Sequence, residues 1–315
     1  MIERDYDGQT LKRALKSAER LLEKRIDELN ALNVFPVPDG DTGINMYLTA
    51  QAATTAAENL FTTSAAEITA KVARGALLGA RGNSGVILSQ ILRGIARGME
   101  MKERFSAFDF AQALRYASDA AYKAVLQPVE GTILTVIREA SEVAMQQAER
   151  GANLKQTMVK IVSRAHNTVI RTPELLPKLR EAGVVDAGGK GLFYVFLGMK
   201  NFLFQEITVL DEYEIVSKKT KSSKAQHSYG FDLQFLVDGE NLVPEEMQET
   251  ISSLGESVMV VGDENLIRVH VHTKEPQVIL DYSTSKGLLR DIKLEDMDRQ
   301  VERFKESKAK SEQKE

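Results

Sequence analysis

The chain has 315 residues, of which 43% are hydrophobic, and a formal net charge of -4 at pH 7. This length favours two domains, and the hydrophobic share is enough for a buried core, which excludes an intrinsically disordered chain. The mildly acidic charge does not support a general nucleic-acid or membrane-surface role, and the absence of cysteine excludes disulfides and a thiol nucleophile.

No targeting or membrane segment is predicted. Residues 1–9 are charged and lack an apolar run, so they do not resemble a secretory signal. The most apolar stretch, residues 191–204, carries Lys200 and is shorter than the ~20 residues that a membrane-spanning helix needs. We therefore expect a buried core helix at 191–204 and a cytoplasmic protein without a transmembrane segment.

Helical spacing dominates the first two thirds of the chain. Apolar residues recur three and four positions apart, and Gly or Pro clusters separate the segments. The predicted helices are 8–32, 46–60, 65–78, 85–99, 107–126, 132–150 and 153–171, followed by 191–204. Residues 1–208 are thus predicted to form an all-helical domain.

The pattern changes in the last third of the chain. Residues 209–228 are predicted to be a linker, because 217–228 are polar and basic without a large apolar side chain. From Tyr229 apolar and polar residues alternate, which predicts strands near 231–236, 257–262 and 266–273. With helices expected at 244–254 and 276–286, residues 229–303 should form a small α+β domain. The charged tail, 304–315, is expected to be a fraying helix end or another linker.

Residues 33–45, Asn-Val-Phe-Pro-Val-Pro-Asp-Gly-Asp-Thr-Gly-Ile-Asn, form the most informative motif. The prolines exclude a helix interior, and the glycines permit backbone conformations that a Cβ would forbid. Asp39 and Asp41 should therefore project from a stiff loop towards one place. Carboxylates without Cys or His suit Mg²⁺, which proteins hold by one or two carboxylates together with phosphate oxygens. An ordinary solvated turn is the alternative interpretation.

Three further Gly-bearing loops open helices. The segment 79–85 can bind an anion at a helix N-terminus, or can be a plain helix connection with an Asn or Ser N-cap. Thr132 follows the turn 127–131 and is placed either to cap a helix or to contact phosphate. Residues 180–189 bring a cation, Arg180, and a carboxylate, Asp186, to a glycine hinge. The chain has no P-loop signature.

Four segments together, 33–45, 82–90, 128–135 and 182–189, resemble the ATP-binding subunit of bacterial fatty acid kinase. That family is related to the nucleotide-binding subunit of dihydroxyacetone kinases. The resemblance covers essentially the whole chain. It implies an antiparallel eight-helix barrel that binds Mg–ATP at one mouth, followed by a small α+β domain, so that the protein as a whole is multidomain.

The resemblance also implies site residues. Asp39 and Asp41 match two of three Asp residues that hold two Mg²⁺, and Asn33 falls near the third. Arg180 matches a basic residue that closes over the nucleotide, and it joins Asp39 and Asp41 in the catalytic set. The nucleotide-binding positions are Thr42, Gly43, Asn45, Asn83, Ser84, Gly85, Thr132 and Asp186.

His270 and His272 lie two residues apart on a predicted strand, so both imidazoles should share one face. The two imidazoles could then bind Zn²⁺. Asp232 stands where some relatives have Cys, and it would complete the set. The alternative is a pair of hydrogen-bonded strand histidines without metal. His166 and His227 are expected to be structural or surface residues.

The function implied by the resemblance is transfer of the γ-phosphoryl group of ATP to the carboxylate of a fatty acid, giving an acyl phosphate for phospholipid synthesis. A separate fatty-acid-binding protein would present the acceptor. Since a carboxylate is already ionised at pH 7, charge neutralisation and positioning matter more than a strong base.

Related expectations and two alternatives accompany this function. The family's partner-gripping domain is expected to be missing from this chain or cut away, and the chain is expected to dimerise through its small domain. One alternative is a dihydroxyacetone-type kinase component, and the other is a non-catalytic nucleotide- or metal-binding module.

Overall fold

The computed structural model describes residues 6–206 and 228–312, with side chains described as far as residue 306. All but the last residue of the predicted linker, 209–228, lies outside the described residues. The first described part is almost entirely helical. Its helices are α1 (Gly8–Glu23), α2 (Ile26–Ala31), α3 (Thr42–Ala56), α4 (Ala65–Gly79), α5 (Gly82–Gly98), α6 (Ala107–Ala124), α7 (Ile133–Glu149), α8 (Leu154–Leu175), α9 (Pro177–Ala182) and α10 (Ala187–Phe204). Two short strands, β1 (Tyr6–Asp7) and β2 (Arg104–Phe105), pair antiparallel, so the predicted all-helical character needs this small correction.

Side-chain caps explain where several helices start. Asp7 accepts the Thr10 N–H at the start of α1, and Ser106 forms a capping box with Asp109 at the start of α6. Each such cap satisfies a backbone donor that has no partner within the helix. The predicted helix 8–32 is wrong in one respect, because Arg25 leaves the helical conformation and separates α1 from α2.

The long helices form a closed series of neighbours. Each of α3 to α8 packs against the next along the chain, α8 contacts α10, and α10 packs back on α1. Their buried faces share a single hydrophobic core. The close approach of α5 to α6 depends on Gly94 and Gly98, because a Cβ at either position would overlap the backbone of Ala117 or Ala113.

The second described part is a four-stranded antiparallel sheet with helices. Its elements are β3 (Phe231–Asp238), α11 (Pro244–Ser252), β4 (Glu256–Gly262), β5 (Leu266–Thr273), α12 (Pro276–Thr284), β6 (Leu288–Asp296) and α13 (Met297–Glu312). The strand order is β4-β5-β3-β6, which makes β3 a central strand. The predicted small α+β domain is confirmed in class. Residues 304–312 of the expected charged tail lie at the end of α13, which agrees with the first of its two interpretations, a helix end.

The two faces of this sheet have different partners. Leu233, Phe235 and Val237 point into the small domain's own core. On the other face, Leu236, Met259 and Val261 join the core of the helical domain. The small domain is therefore docked on the helical domain through the face of β3 and β5 that carries their polar residues.

Among the helices that the structure describes, none combines the length and the apolar character required to cross a membrane.

Candidate functional site

Asn33 holds the loop that carries Asp39 and Asp41. Its amide nitrogen donates to the Val37 carbonyl at 3.2 Å and also to the Asp39 carboxylate. Its amide oxygen accepts from the Thr42 hydroxyl at 2.7 Å. The Phe35–Pro36 peptide bond is cis. Asn33 is buried and acts in this structure as an organiser of the loop, with both ends of its amide in use.

Asp39 and Asp41 lie together, as their spacing predicts. Burial and the neighbouring Asp41 raise the pKa of Asp39 to about 8. Burial also raises the pKa of Asp41, and the nearby charges of Asp232 and Glu295 add to this effect. Two carboxyls this close resist ionising together, because like charges repel. A half-buried pair of this kind fits a divalent cation.

The first turn of α3 is fixed by α2. Asn30 accepts the N–H groups of Gly43 and Ile44 at 2.7 and 3.2 Å. The helix predicted at 46–60 starts earlier, at Thr42, so Thr42, Gly43 and Asn45 lie in this turn. The Thr42 hydroxyl and the Gly43 N–H are engaged in shaping the loop. Asn45 donates a hydrogen bond to Asp41 and lies against Gly82.

The N-terminus of α5 faces the same loop. The helix starts at Gly82, whose φ of +56° is the left-handed conformation that favours glycine, and its N-cap residue, Arg81, makes no side-chain cap. The alternative of an Asn or Ser N-cap is therefore wrong. Asn83 and Ser84 are half-buried in the first turn, and Gly85 packs on Thr49. The N–H groups of Asn83 and Ser84 have no acceptor within the helix, because they belong to its first turn, and such groups are the donors of an anion site.

Asp186 joins two helix starts. It caps α10 by accepting the Gly189 N–H at 2.6 Å, and it also accepts the N–H of Ile133 at the start of α7. Complete burial raises the pKa of Asp186 to about 6. Thr132 is the N-cap of α7 and accepts the Leu134 N–H. Both residues shape the turns that open α7 and α10.

Arg180 is exposed on α9. This short helix reaches the acidic loop, because the Lys178 ammonium lies 5.3 Å from the centroid of the Phe35 ring. The Arg180 side chain lies on the same short helix and is exposed to solvent.

Asp232, His270 and His272 form a buried cluster on β3 and β5. Asp232 lies opposite His272 in the sheet, and the two imidazole centroids are 5.0 Å apart. Possible ligand atoms of the three residues lie within 4.8 Å of one another. Despite burial, His270 holds the pKa of Asp232 below its usual value, while burial and His270 lower the pKa of His272 to about 4. Neither nitrogen of His270 has a well-oriented hydrogen bond among the described residues, which fits a cation ligand.

This cluster lies over the acidic loop. The charge of Asp232 raises the pKa of both Asp39 and Asp41, so this carboxyl is close enough to act on the pair across the domain boundary. Val37 packs with Met297 and Val301, and the Phe304 ring covers Gly40. The small domain and α13 thus close one side of the candidate site.

Sequence reasoning missed Asn30, Gln234 and Arg268. Gln234 accepts the Gly82 N–H at 3.1 Å, and Arg268 donates to the carbonyls of Leu78 and Ala80 at 2.9 and 2.5 Å. The period-two spacing places Gln234 and Arg268 on the same sheet face as the histidines. The sequence therefore shows that these residues share a face, but it does not show that the helical domain covers that face.

Comparison with known proteins defines the family. The model of the DAK2 domain matches residues 36–201, which is more than half of the chain. The chain belongs to the DAK2 family. A second model, the FakA-like middle domain of fatty acid kinase, matches residues 228–304 of this DAK2 protein. The resemblance found in the sequence is thereby confirmed, and the chain carries kinase-family domains.

Curated relatives extend across most of this DAK2 protein. Protein YloV of Bacillus subtilis is 38% identical over 309 residues, covering 93% of this chain and 56% of its own length. An uncharacterized protein of Staphylococcus saprophyticus is 37% identical, covering 92% of this chain and 55% of its own. The chain spans about half the length of these relatives. The crystal structure of the dihydroxyacetone kinase of C. freundii aligns with a TM-score of 0.47 at 15% identity, covering 64% of this chain and 36% of that one.

Proposed function

We propose that this protein transfers the γ-phosphoryl group of Mg–ATP to the carboxylate of a fatty acid that a separate fatty-acid-binding protein presents. One observation carries the proposal: the Asp39–Asp41 pair lies beside the N-terminus of α5, with Asn45 in contact with both. An anion site next to a buried pair of carboxylates is the arrangement that a metal–nucleotide complex requires.

Asp39 and Asp41 would hold Mg²⁺. Burial and neighbouring carboxyls raise both pKa values, and a bound cation would offset this cost of ionising the pair. Mg²⁺, when bound, neutralises phosphate charge and orients the phosphates. We propose two ions, with Asn33 either as a further ligand or, as its present hydrogen bonds favour, as the residue that positions Asp39.

The remaining predicted residues have distinct proposed tasks. Asn83 and Ser84 would donate N–H groups to phosphate oxygens at the start of α5, and Gly85, whose own N–H donates to the Arg81 carbonyl at 3.0 Å, would keep this turn free of a side chain. Arg180, exposed on α9, would bind the transferred phosphoryl group or clamp ATP. Those that shape the surrounding turns are Thr42, Gly43, Asn45, Thr132 and Asp186.

The acceptor assignment is supported by the second domain, whose matching model is the FakA-like middle domain of fatty acid kinase. An ionised carboxylate needs no base to accept a phosphoryl group. We also propose that the closed series of long helices is the expected eight-helix barrel, that the domains span 1–208 and 229–303, and that the small domain mediates dimerisation.

The test of this function replaces Asp41 by Asn, with the exposed Asp119→Asn as a matched control. Asp41→Asn should abolish the Mg²⁺ dependence of ATP-analogue binding in a titration. It should also lower acyl phosphate formation by at least about 100-fold, since metal charge stabilisation contributes several kcal/mol. Asp119→Asn should behave as wild type. Unchanged turnover in Asp41→Asn would contradict the metal assignment.

A second proposal concerns Asp232, His270 and His272, which would hold Zn²⁺. Their clustered ligand atoms support it, as does the lack of a well-oriented hydrogen bond at either His270 nitrogen among the described residues. The purified wild type should retain about one equivalent of zinc after dialysis, as a structural site binds tightly. His270→Ala should lose the metal, and Asp263→Asn on an exposed turn should keep it. Metal-free wild type after zinc loading would refute the proposal.

A further inference from the structure

We propose that Gln234 of the small domain is the positioning residue that ties the Asp232–His270–His272 cluster to the first turn of α5. The proposal rests on the phosphoryl transfer proposed above, and it adds a residue that neither the sequence motifs nor the family match identifies. Gln234 is only 5% exposed, and it lies where the two domains meet.

Both ends of the Gln234 amide are in use. Its oxygen accepts the Gly82 N–H at 3.1 Å, and its nitrogen donates to the Asp232 carboxylate at 2.6 Å. This orientation is fixed, because the reversed amide would place a donor against the Gly82 N–H and an acceptor against the carboxylate. One side chain thus bridges the phosphate-binding turn and the buried carboxylate across the domain boundary.

The bridge connects two acidic groups. On the helical side, Gly82 lies against Asn45, which is hydrogen-bonded to Asp41. On the other side, Asp232 contacts the His270 imidazole, with 3.1 Å between Oδ1 and Nδ1. Gln234 therefore fixes the position of the Asp232 carboxylate relative to the loop that carries Asp39 and Asp41.

Docking of the domains does not depend on this amide. Arg268 binds the carbonyls of Leu78 and Ala80, and Arg93 donates to the Gly262 carbonyl at 2.9 Å. Apolar residues of β3, β4 and β5 are buried in the same interface. Loss of the Gln234 amide should consequently release Asp232 while the two domains stay together.

Two substitutions separate the two hydrogen bonds. Gln234→Glu keeps an acceptor for the Gly82 N–H but cannot donate to Asp232, whereas Gln234→Leu removes both bonds. Gln277→Glu is the matched control, because Gln277 also donates to an Asp, Asp281 at 2.7 Å, but on the exposed face of α12.

The first measurement is amide exchange of Gly82 by NMR in the full 315-residue chain. In Gln234→Leu the Gly82 N–H should exchange at least about tenfold faster than in wild type, the effect of losing one buried hydrogen bond. Gln234→Glu and Gln277→Glu should exchange as wild type does. Equal exchange in wild type and Gln234→Leu would show that the bridge does not exist.

The second measurement is the imidazole ¹⁵N spectrum, which is tractable because the chain has four histidines. Both Gln234 variants should shift the His270 signals, and Gln277→Glu should leave them unchanged. If Gln234→Leu does not fold, Gln234→Glu decides this point alone. A His270 spectrum that is the same in Gln234→Glu and wild type would overturn the positioning role.

The third measurement is turnover with Mg–ATP and the lipid-loaded carrier. Both Gln234 variants should lower kcat by at least about tenfold while KM for ATP stays within about twofold, since a positioning residue acts on the transition state rather than on ground-state binding. Unchanged kcat in variants that have lost the bridge would refute the positioning role. If wild type makes no acyl phosphate, the proposed function fails, and the exchange and imidazole measurements still decide whether Gln234 bridges the domains.

Discussion

Asp186 shows how a single buried carboxyl organises two helices. The sequence predicts it at a glycine hinge, and the structure places it beneath the starts of both α7 and α10. The proximity of Asp39 and Asp41 is also predictable, because two residues that are two positions apart in a stiff loop must lie close together. The hydrogen bonds of Asn30 and Gln234 are not predictable. The bond of Asn30 depends on the break between α1 and α2, and the bond of Gln234 depends on which domain covers its face of the sheet.

Asp186 makes stability depend on pH. Its pKa is about 6 in the folded protein against a usual value of 3.8, so the folded state holds the proton more tightly. Its contribution to stability is therefore present below pH 4 and lost as the pH rises towards 6, by about 1–3 kcal/mol.

Asp186→Asn should abolish this part of the pH dependence, because a neutral amide oxygen still accepts both N–H groups. Denaturant unfolding of wild type and variant between pH 4 and 7 measures the difference. Parallel pH curves for the two proteins would contradict the assigned titration.

At the scale of elements, hydrophobic spacing predicts most helices. It fails where tertiary contacts determine the end of a helix or the presence of a strand. Helical periodicity continues across Lys24 and Arg25, so the break between α1 and α2 carries no local signal. The break allows Asn30 to reach the start of α3. Strand β6 escapes prediction because Leu288, Ile292 and Leu294 are exposed and do not mark a buried face.

The contact between α5 and α6 gives a prediction at this scale. Gly94→Ala should destabilise the protein by about 3 kcal/mol, because the new Cβ meets the backbone of Ala117, which cannot move aside as a side chain could. Gly151 has open space and a φ of +75°, so Gly151→Ala should cost only the backbone strain of about 1–2 kcal/mol. Chemical denaturation compares the two, and a smaller loss for Gly94→Ala would show that the helices can separate.

At the scale of the whole molecule, two domains of the predicted classes are present, but their docking is beyond sequence reasoning. A polar sheet face is typical of a solvent-exposed surface, and only the packed structure shows it buried against α4 and α5. Arg268 illustrates the cost of that arrangement, because burial and the nearby Arg81 lower its pKa to about 10.

Arg268→Met should loosen the docked domains. It leaves the carbonyls of Leu78 and Ala80 without their donor, at a cost of about 1–3 kcal/mol. Arg74→Ala is the control, because the Arg74–Asp263 pair is exposed and should contribute less than about 1 kcal/mol. Calorimetry should show the small domain melting separately in Arg268→Met and together with the helical domain in Arg74→Ala. A single unshifted transition in Arg268→Met would mean that the apolar contacts alone hold the interface.

Strand β3 supplies side chains to two domains in alternation: odd-numbered residues such as Leu233 build its own domain, and even-numbered ones such as Gln234 contact the neighbouring one. Deleting one residue within it would exchange these sets, burying carboxylate and amide in an apolar core and placing leucine and phenylalanine against the first turn of α5. Length changes should therefore be forbidden inside this strand and tolerated in the turn that follows Asp238, a contrast that a library of single-codon deletions can reveal.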